Sequence, residues 1–341
     1  MAKSKLSLIN RFLFLLNNVF AIVLLVSFFI PRLSPTNFGV LTLLSLITPA
    51  LIVINIVFVI YWTLVGFKKQ LLLSFFVLLL SLIFIPKLHK FDNEKVKENK
   101  EHLRIMTYNV RKFNIYKWLN IADIEKKIKD LITTENPDIL CLQEYRELET
   151  FKLNYPFNFN YRTINNVHPG LIIYSKYPII NKGSVGDERH SVDAIYADVV
   201  KNNDTIRIYS FRLESLGVVP DKDYFGHENS ERLIKRIRTS FIFQQNQIDA
   251  LNNHINQCEH KVILTGDLNN TAYSWAYKNI KNNFQDSFLE AGNGFGKTYE
   301  FINFPLRIDY IFVDKNIKII DHQNLGEKYS DHYPIVATLE F

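Results

Sequence analysis

"HKVILTGDLNNTAYSWAY", residues 260–277, decides how the larger part of this chain is read. An apolar run from Val262 to Leu264 meets Gly266 and then presents Asp267 and Asn269 where a buried strand would end. Residues two apart on an extended segment share a side, so both side chains are expected to enter one pocket.

The same pattern recurs on both sides of it. "LRIMTYNV" (103–110) reads as a strand carrying Asn109 near its end, and "DILCLQE" (138–144) as a strand closing on Glu144. Between them "IADIEKKIKDLITTE" (121–135) sets Ile121, Ile124, Ile128, Leu131 and Ile132 on one helical stripe that Asn136-Pro137 ends. "GLIIYS" (170–175), "AIYADVV" (194–200) and "TIRIYSF" (205–211) are further strands, the last followed by Arg212. A helix with Leu233, Ile237, Phe241, Ile248 and Leu251 on its apolar side precedes the quoted stretch; "RIDYIFV" (307–313) and "YPIVATLEF" (333–341) close the chain. Strands mixed with helices imply a layered α/β or α+β domain.

Asn109, Glu144, Arg212, Asp267, Asn269, Asp331 and His332 all fall at strand ends, and Asp309 interrupts a strand. Each alone has an ordinary explanation as a turn, a cap or a solvated group. Their accumulation does not, and a charge inside "RIDYIF" needs a partner or costs several kcal/mol.

The first ninety residues are of another kind. Apolar spans near 12–30, 41–65 and 70–86 divide an expected transmembrane region, 1–86, from a polar linker, 87–102, and a domain at 103–341. Lys3, Lys5 and Arg11 before the first span and Lys68 and Lys69 in the second loop outweigh Arg32 in the first loop, which puts the N-terminus in the cytoplasm. Three crossings then place the domain outside, on the periplasmic side of a bacterial inner membrane; the lysines of the linker pull against this. Residues 1–100 hold eleven Lys/Arg against three acidic residues, a balance of +8, while 101–341 hold 29 against 31, a balance of −2. The basic character belongs to the anchor, and the domain lacks the overall basic footprint of a duplex-binding protein. Cys141 and Cys258 read as core or near-core thiols, giving neither a disulfide framework nor a zinc site. His168, His190, His227, His254, His260 and His322 read as surface residues, Arg232, Lys235, Arg236 and Arg238 as a solvated helix face, and Thr298 as either a phosphate contact or a turn residue.

"IMTYNVRKF", "PDILCLQEY", "VILTGDLNN", "RIDYIFV" and "YSDHYPIV", in this order, resemble the endonuclease/exonuclease/phosphatase superfamily over residues 103–341, and the anchored arrangement resembles bacterial members of that group. The resemblance implies a four-layer sandwich of two mixed β-sheets flanked by helices, preceded here by an all-α transmembrane region of about three helices. It implies a Mg²⁺-dependent hydrolase of phosphoric esters, with Mn²⁺ as substitute and a phosphodiesterase or nuclease-type activity foremost. Glu144 would be the main metal ligand and Asp331 a further one; Asp267 would activate water; Asn269 would donate to phosphate; Asn109 would position the metal ligand or the phosphate; His332, held by Asp309, would contact the scissile group. Two positions depart from the family. Arg212 stands where many members have a histidine, and Arg111 where repair endonucleases have an aspartate. An arginine clamps phosphate but does not act as an acid near neutral pH, so both are read as substrate-binding. Expected partners are the bilayer and a phosphoric ester from nucleic acid, a lipid headgroup or a small diester, with no obligate protein partner. A sphingomyelinase-like or phosphoinositide-phosphatase-like lipid hydrolase and a catalytically impaired phosphate-binding module are the alternatives.

Overall fold

The computed structural model describes residues 6–66, 68–84, 86, 89, 90, 102–161, 170–186, 194–218, 229–301 and 304–341. Most of the expected linker lies outside these residues, as do Lys3, Lys5, His168, His190 and His227. In chain order the helices are α1 (Leu8–Ser27), α2 (Pro35–Thr42), α3 (Leu44–Val65), α4 (Lys68–Phe84), α5 (Ile124–Glu135), α6 (Ser230–Ile255), α7 (Trp275–Lys281) and α8 (Ser287–Ala291). The strands are β1 (Leu103–Asn109), β2 (Ile139–Tyr145), β3 (Phe157–Tyr161), β4 (Gly170–Ser175), β5 (Ile179–Val185), β6 (Ala194–Lys201), β7 (Asp204–Arg212), β8 (Lys261–Asp267), β9 (Phe284–Asp286), β10 (Tyr299–Phe301), β11 (Phe304–Leu306), β12 (Asp309–Asp314), β13 (Lys318–Asn324) and β14 (Ile335–Glu340).

Two mixed six-stranded sheets form, ordered β13-β14-β1-β2-β4-β3 and β5-β6-β7-β8-β12-β9, with β10 and β11 as a separate pair. In each sheet a central pair is parallel, β1 with β2 and β7 with β8. Alternation along the strands sends Ile105, Ile139 and Ile173 of one sheet against Ile195, Ile208 and Ile263 of the other, and this apolar layer also encloses Cys141. The outer face of the first sheet packs on Ile124, Ile128 and Ile132 of α5. That of the second packs on Ile248 and Leu251 of α6 and Tyr277 and Ile280 of α7. The four-layer sandwich is therefore present as expected. Helix α5 begins at Ile124 instead of Ile121, because Asp123 takes a left-handed conformation (φ 54°) just before it. Strands β3, β5 and β13 carry too little apolar alternation to have been anticipated; β5 runs "IINKGSV" with three consecutive exposed residues after Ile179.

The N-terminal helices form an up-down-up bundle. Tyr61 near the end of α3 donates to Asn10 near the start of α1 (2.8 Å), and Phe28 after α1 stacks on Phe84 at the end of α4, 6.0 Å between centroids. Buried positions include Asn17, Asn55, Ser74 and Thr48, and Ser74 donates to Asn17 (3.0 Å). Exposed positions are Leu8, Ile9, Leu64, Leu82 and Ile83 and others like them. The regions around α1 and α3 are long and apolar enough to cross a membrane, while the apolar helix 69–84 is shorter. The bundle is fastened to the sandwich. Gln245 of α6 accepts from Ser34 Oγ (2.8 Å), Thr36 N (3.1 Å) and Thr36 Oγ1 (3.0 Å); Thr271 Oγ1 donates to the Ser45 carbonyl (3.2 Å); and Tyr273 is buried among Leu24, Phe28 and Leu51.

Candidate active site

Strand register assembles the site. On three neighbouring strands Arg212 of β7 lies beside Asp267 of β8, and Asp267 beside Asp309 of β12. The facing sheet adds Asn109 from the end of β1 and Glu144 near the end of β2. Gly266 permits the close approach: at φ 145° it lies so near β7 that a Cβ would stand 2.0 Å from the Phe211 carbonyl oxygen. Asn109 Nδ2 bridges the two sheets, donating to Asp267 Oδ2 (3.0 Å) and, more distantly, to Glu144 Oε1 (3.5 Å). Asp267 Oδ1 accepts from the Asn269 backbone N–H (2.7 Å), and Asn269 Nδ2 donates to the Leu213 carbonyl (2.8 Å). Asn269 has φ 47°, so the segment turns after Asp267 instead of staying extended. The two residues meet in one site through this aspartate-capped turn, which corrects the expectation of a shared strand face.

Burial and paired charges set the protonation states. Asp267 is 1% exposed, and desolvation, helped by Asp309, raises its carboxyl to about 7 although His332 and Arg212 pull it down. His332 Nδ1 lies 2.9 Å from Asp309 Oδ2, and its Nε2 lies 3.9 Å from Asp267 Oδ2. Burial opposes the imidazolium, but the two carboxylates outweigh it and lift His332 to about 10. Both carboxylates therefore favour the charged imidazolium, and His332 is the partner of Asp309, which opens β12 instead of interrupting a strand as the sequence suggested. Thr298 completes that strand entry: buried, its Oγ1 accepts from the N–H groups of Ile308 (2.9 Å) and Asp309 (3.0 Å), so it has the structural role of the two considered. Burial would raise Glu144, yet Arg212, His332 and Asn109 together hold it below its ordinary value. Arg212 reaches Glu144 Oε1 through Nε (3.0 Å) and a terminal nitrogen (2.8 Å). Arg111 pairs with Asp331 (2.7 Å) and lies 4.0 Å over the Trp118 ring. A left-handed run, Arg111 to Asn114, turns it there, anchored by the Arg111 N–H on Asn109 Oδ1 (3.0 Å).

The model of the endonuclease/exonuclease/phosphatase family matches residues 106–332, which contain every one of these side chains. The chain belongs to this family. A second match covers residues 10–88, to a domain of unknown function (DUF8431). No curated protein sequence matches the chain. Similar solved structures include the endonuclease/exonuclease/phosphatase from Bacteroides vulgatus, 19% identical over 71% of this chain and 100% of that one, TM-score 0.53. The human Nocturnin catalytic domain with bound sulfate anion is 18% identical over 72% of this chain and 96% of its own, TM-score 0.53. D. rerio TDP2 complexed with single strand DNA product is 15% identical over 71% and 100%, TM-score 0.52. At these identities the structures show a shared fold.

Endonuclease/exonuclease/phosphatase members are phosphoesterases and nucleases that typically use a divalent metal, and the donor set here suits one. Asp267, Asp309 and His332 bring ligand atoms within 4.8 Å of one another and could hold a metal ion. Of these three the carboxylate oxygens are the better donors for a hard cation, because the His332 imidazole is already engaged by Asp309. Glu144 and Asp331 line one pocket with His332, behind which Asp267 and Asp309 are buried.

That pocket measures about 500 Å³ and continues from the charged strand ends to an apolar wall. Sequence reading did not anticipate this wall. It comes from Leu46, Ile47 and Ala50 of α3, from Leu216 and Val218 after β7, and from Leu233 and Ile237 of α6. Two histidines expected at the surface are not there: His322 is buried with Nδ1 2.8 Å from Ser287 Oγ, and His254 is partly buried, 2.7 Å from the Tyr209 hydroxyl. His260 is exposed, as are Arg232, Lys235, Arg236 and Arg238, although Arg238 packs over Gly39 of α2.

Proposed function

We propose that this chain is a membrane-anchored, Mg²⁺-dependent hydrolase of phosphoric diesters, with Mn²⁺ able to replace Mg²⁺. The observation that carries the reading is the hydrogen-bonded cluster of Asn109, Glu144, Asp267 and the Asp309–His332 pair, whose Glu144 and His332 open onto a pocket lined also by Arg111 and Arg212. Glu144 would hold the metal and Asp331 is its second candidate ligand; when bound, the ion neutralises charge developing on the phosphoryl oxygens. Asp267 takes a proton from the attacking water, a task for which a carboxylate raised to about 7 is suited. Water oxygen bonds to phosphorus as the ester P–O bond breaks, and the departing alcohol takes a proton from His332. Arg111, Arg212 and Asn269 hold the nonbridging oxygens.

The anchor rests on an inside-out distribution: amides and hydroxyls are buried while leucine, isoleucine and phenylalanine face outward, as hydrocarbon surroundings favour. The starts of α1 and α4 lie at the end of the bundle away from Ser34 and Thr36, which Gln245 of the sandwich holds. With the basic residues cytoplasmic, the domain lies outside, periplasmic in a bacterium.

A second reading is favoured by the Arg212–Glu144 ion pair, which occupies a proposed metal ligand with a proposed phosphate clamp. On it the domain binds a phosphorylated ligand without turnover. The full chain in detergent, assayed on bis-p-nitrophenyl phosphate with Mg²⁺, Mn²⁺ or EDTA, separates the two. Turnover that EDTA abolishes, and that Asp267→Asn and Glu144→Gln each reduce at least about 100-fold, supports the hydrolase. A folded protein inert on this diester and on DNA, RNA and phospholipids supports the binding module.

A further inference from the structure

The pocket has two unlike ends, and one of them belongs to the bundle. Arg111, Arg212 and His332, each paired with a carboxylate, make a charged pole whose donors suit a phosphate. Leu46, Ile47, Leu216, Val218, Leu233 and Ile237 make a wall that offers a phosphate nothing and an alkyl chain a great deal. Ile47 is 46% exposed, so the wall runs out to the surface of α3, the same helix whose outward residues are apolar along its length. The wall is also fixed in place: the Ser45 carbonyl accepts from Thr271, two residues from the Asn269 turn, and Gln245 is tied to Ser34 and Thr36. Trp118 and Tyr116 stand exposed beside Arg111, but the wall itself offers nucleic acid a poor match. Tyr299 is the one aromatic among the described lining residues, and single strands are held by successive stacking platforms along a basic groove.

Resting on the hydrolase reading above, we infer that the substrate is an amphiphile, a phosphodiester bearing a long alkyl or acyl chain, which enters from the bilayer along α3 with its phosphate at the arginine pole and its chain against the α3–α6 wall. Water adds to phosphorus, one P–O ester bond breaks, and the products are a phosphomonoester and an alcohol, one of which keeps the chain.

The test is a series of p-nitrophenyl alkyl phosphates with chains of two, four, six and eight carbons, below their aggregation thresholds, on the full chain in nanodiscs with Mg²⁺. The expected result is a KM that falls roughly tenfold for each added pair of methylenes until the wall is covered. Partition into the disc lipid would also lower KM, so Ile47→Lys and Leu233→Lys are measured beside it. If the chain lies on the wall, both flatten the dependence on length; if partition is the cause, neither does, and the inference is overturned. Turnover at a KM indifferent to chain length, or a higher kcat/KM on single-stranded DNA or RNA than on the octyl ester, also overturns it while leaving the hydrolase standing. Absence of metal-dependent turnover on every ester overturns the hydrolase and this inference together.

Discussion

At the scale of single residues the unusual feature is Arg212. It neighbours Asp267 in strand register and bonds Glu144, so it serves the site in the absence of substrate as a counter-charge. Arg212→Ala is expected to lower kcat/KM by about 10²- to 10³-fold, with Arg212→Lys recovering part of the loss, because a lysine keeps the charge without the planar fork. The Asp309–His332 pair makes a separate claim. Asp309→Asn removes the leading cause of the raised imidazole, so an NMR titration should show His332 moving from about 10 toward the ordinary histidine value, with a fall in kcat of about 100-fold. A histidine that stays high in the variant would locate the cause elsewhere.

At the scale of elements, β8 is held to one conformation by Gly266. An alanine there meets the Phe211 carbonyl and keeps an unfavourable φ, so Gly266→Ala should destabilise the fold by about 3 kcal/mol or more, read as a lower urea midpoint. Strand β13 supplies a pH dependence through His322, which burial lowers to about 4. Between roughly 6.5 and 4 the unfolded chain takes up a proton that the folded one refuses. Stability is therefore present above 6.5 and lost as pH falls, by up to about 1.4 kcal/mol per unit. His322→Gln should flatten that part of a Tm-against-pH curve. Strands β1, β2, β7, β8 and β12 were legible in sequence because each is a short apolar run ending in a polar residue. Histidine 322 was not, since "KIIDHQN" alternates no more clearly than a surface segment and its burial is imposed by Ser287 and Phe288 of α8. The positions of Asn109, Glu144, Asp267, Asp309 and His332 in a common site could be expected from motif order. The turn at Asn269 and the Arg212–Glu144 pair could not, because both depend on backbone angles and side-chain reach.

At the scale of the molecule, three apolar segments were visible from composition, but their contact with the site was not: Ser45 and Thr271 are 226 positions apart, and no local periodicity records such a meeting. Gln245 offers a measurement of how firmly the two parts are joined. Gln245→Leu removes acceptors for Ser34 and Thr36, and at about 1 kcal/mol for each bond lost it should lower Tm and speed hydrogen exchange at the amides of α2, leaving those of β8 slow. Equal acceleration in both places would mean that bundle and sandwich unfold as one unit.

Leu46, Ile47 and Ala50 face Leu233 and Ile237 across a single cavity. Selection on what enters that cavity acts on both segments at once, so they are bound to change together in descent. Among homologues, exchanges of size at 46, 47 and 50 should be answered by opposite exchanges at 233 and 237, and a hybrid joining one homologue's leading helices to another's sandwich should work only when those five positions come from the same parent.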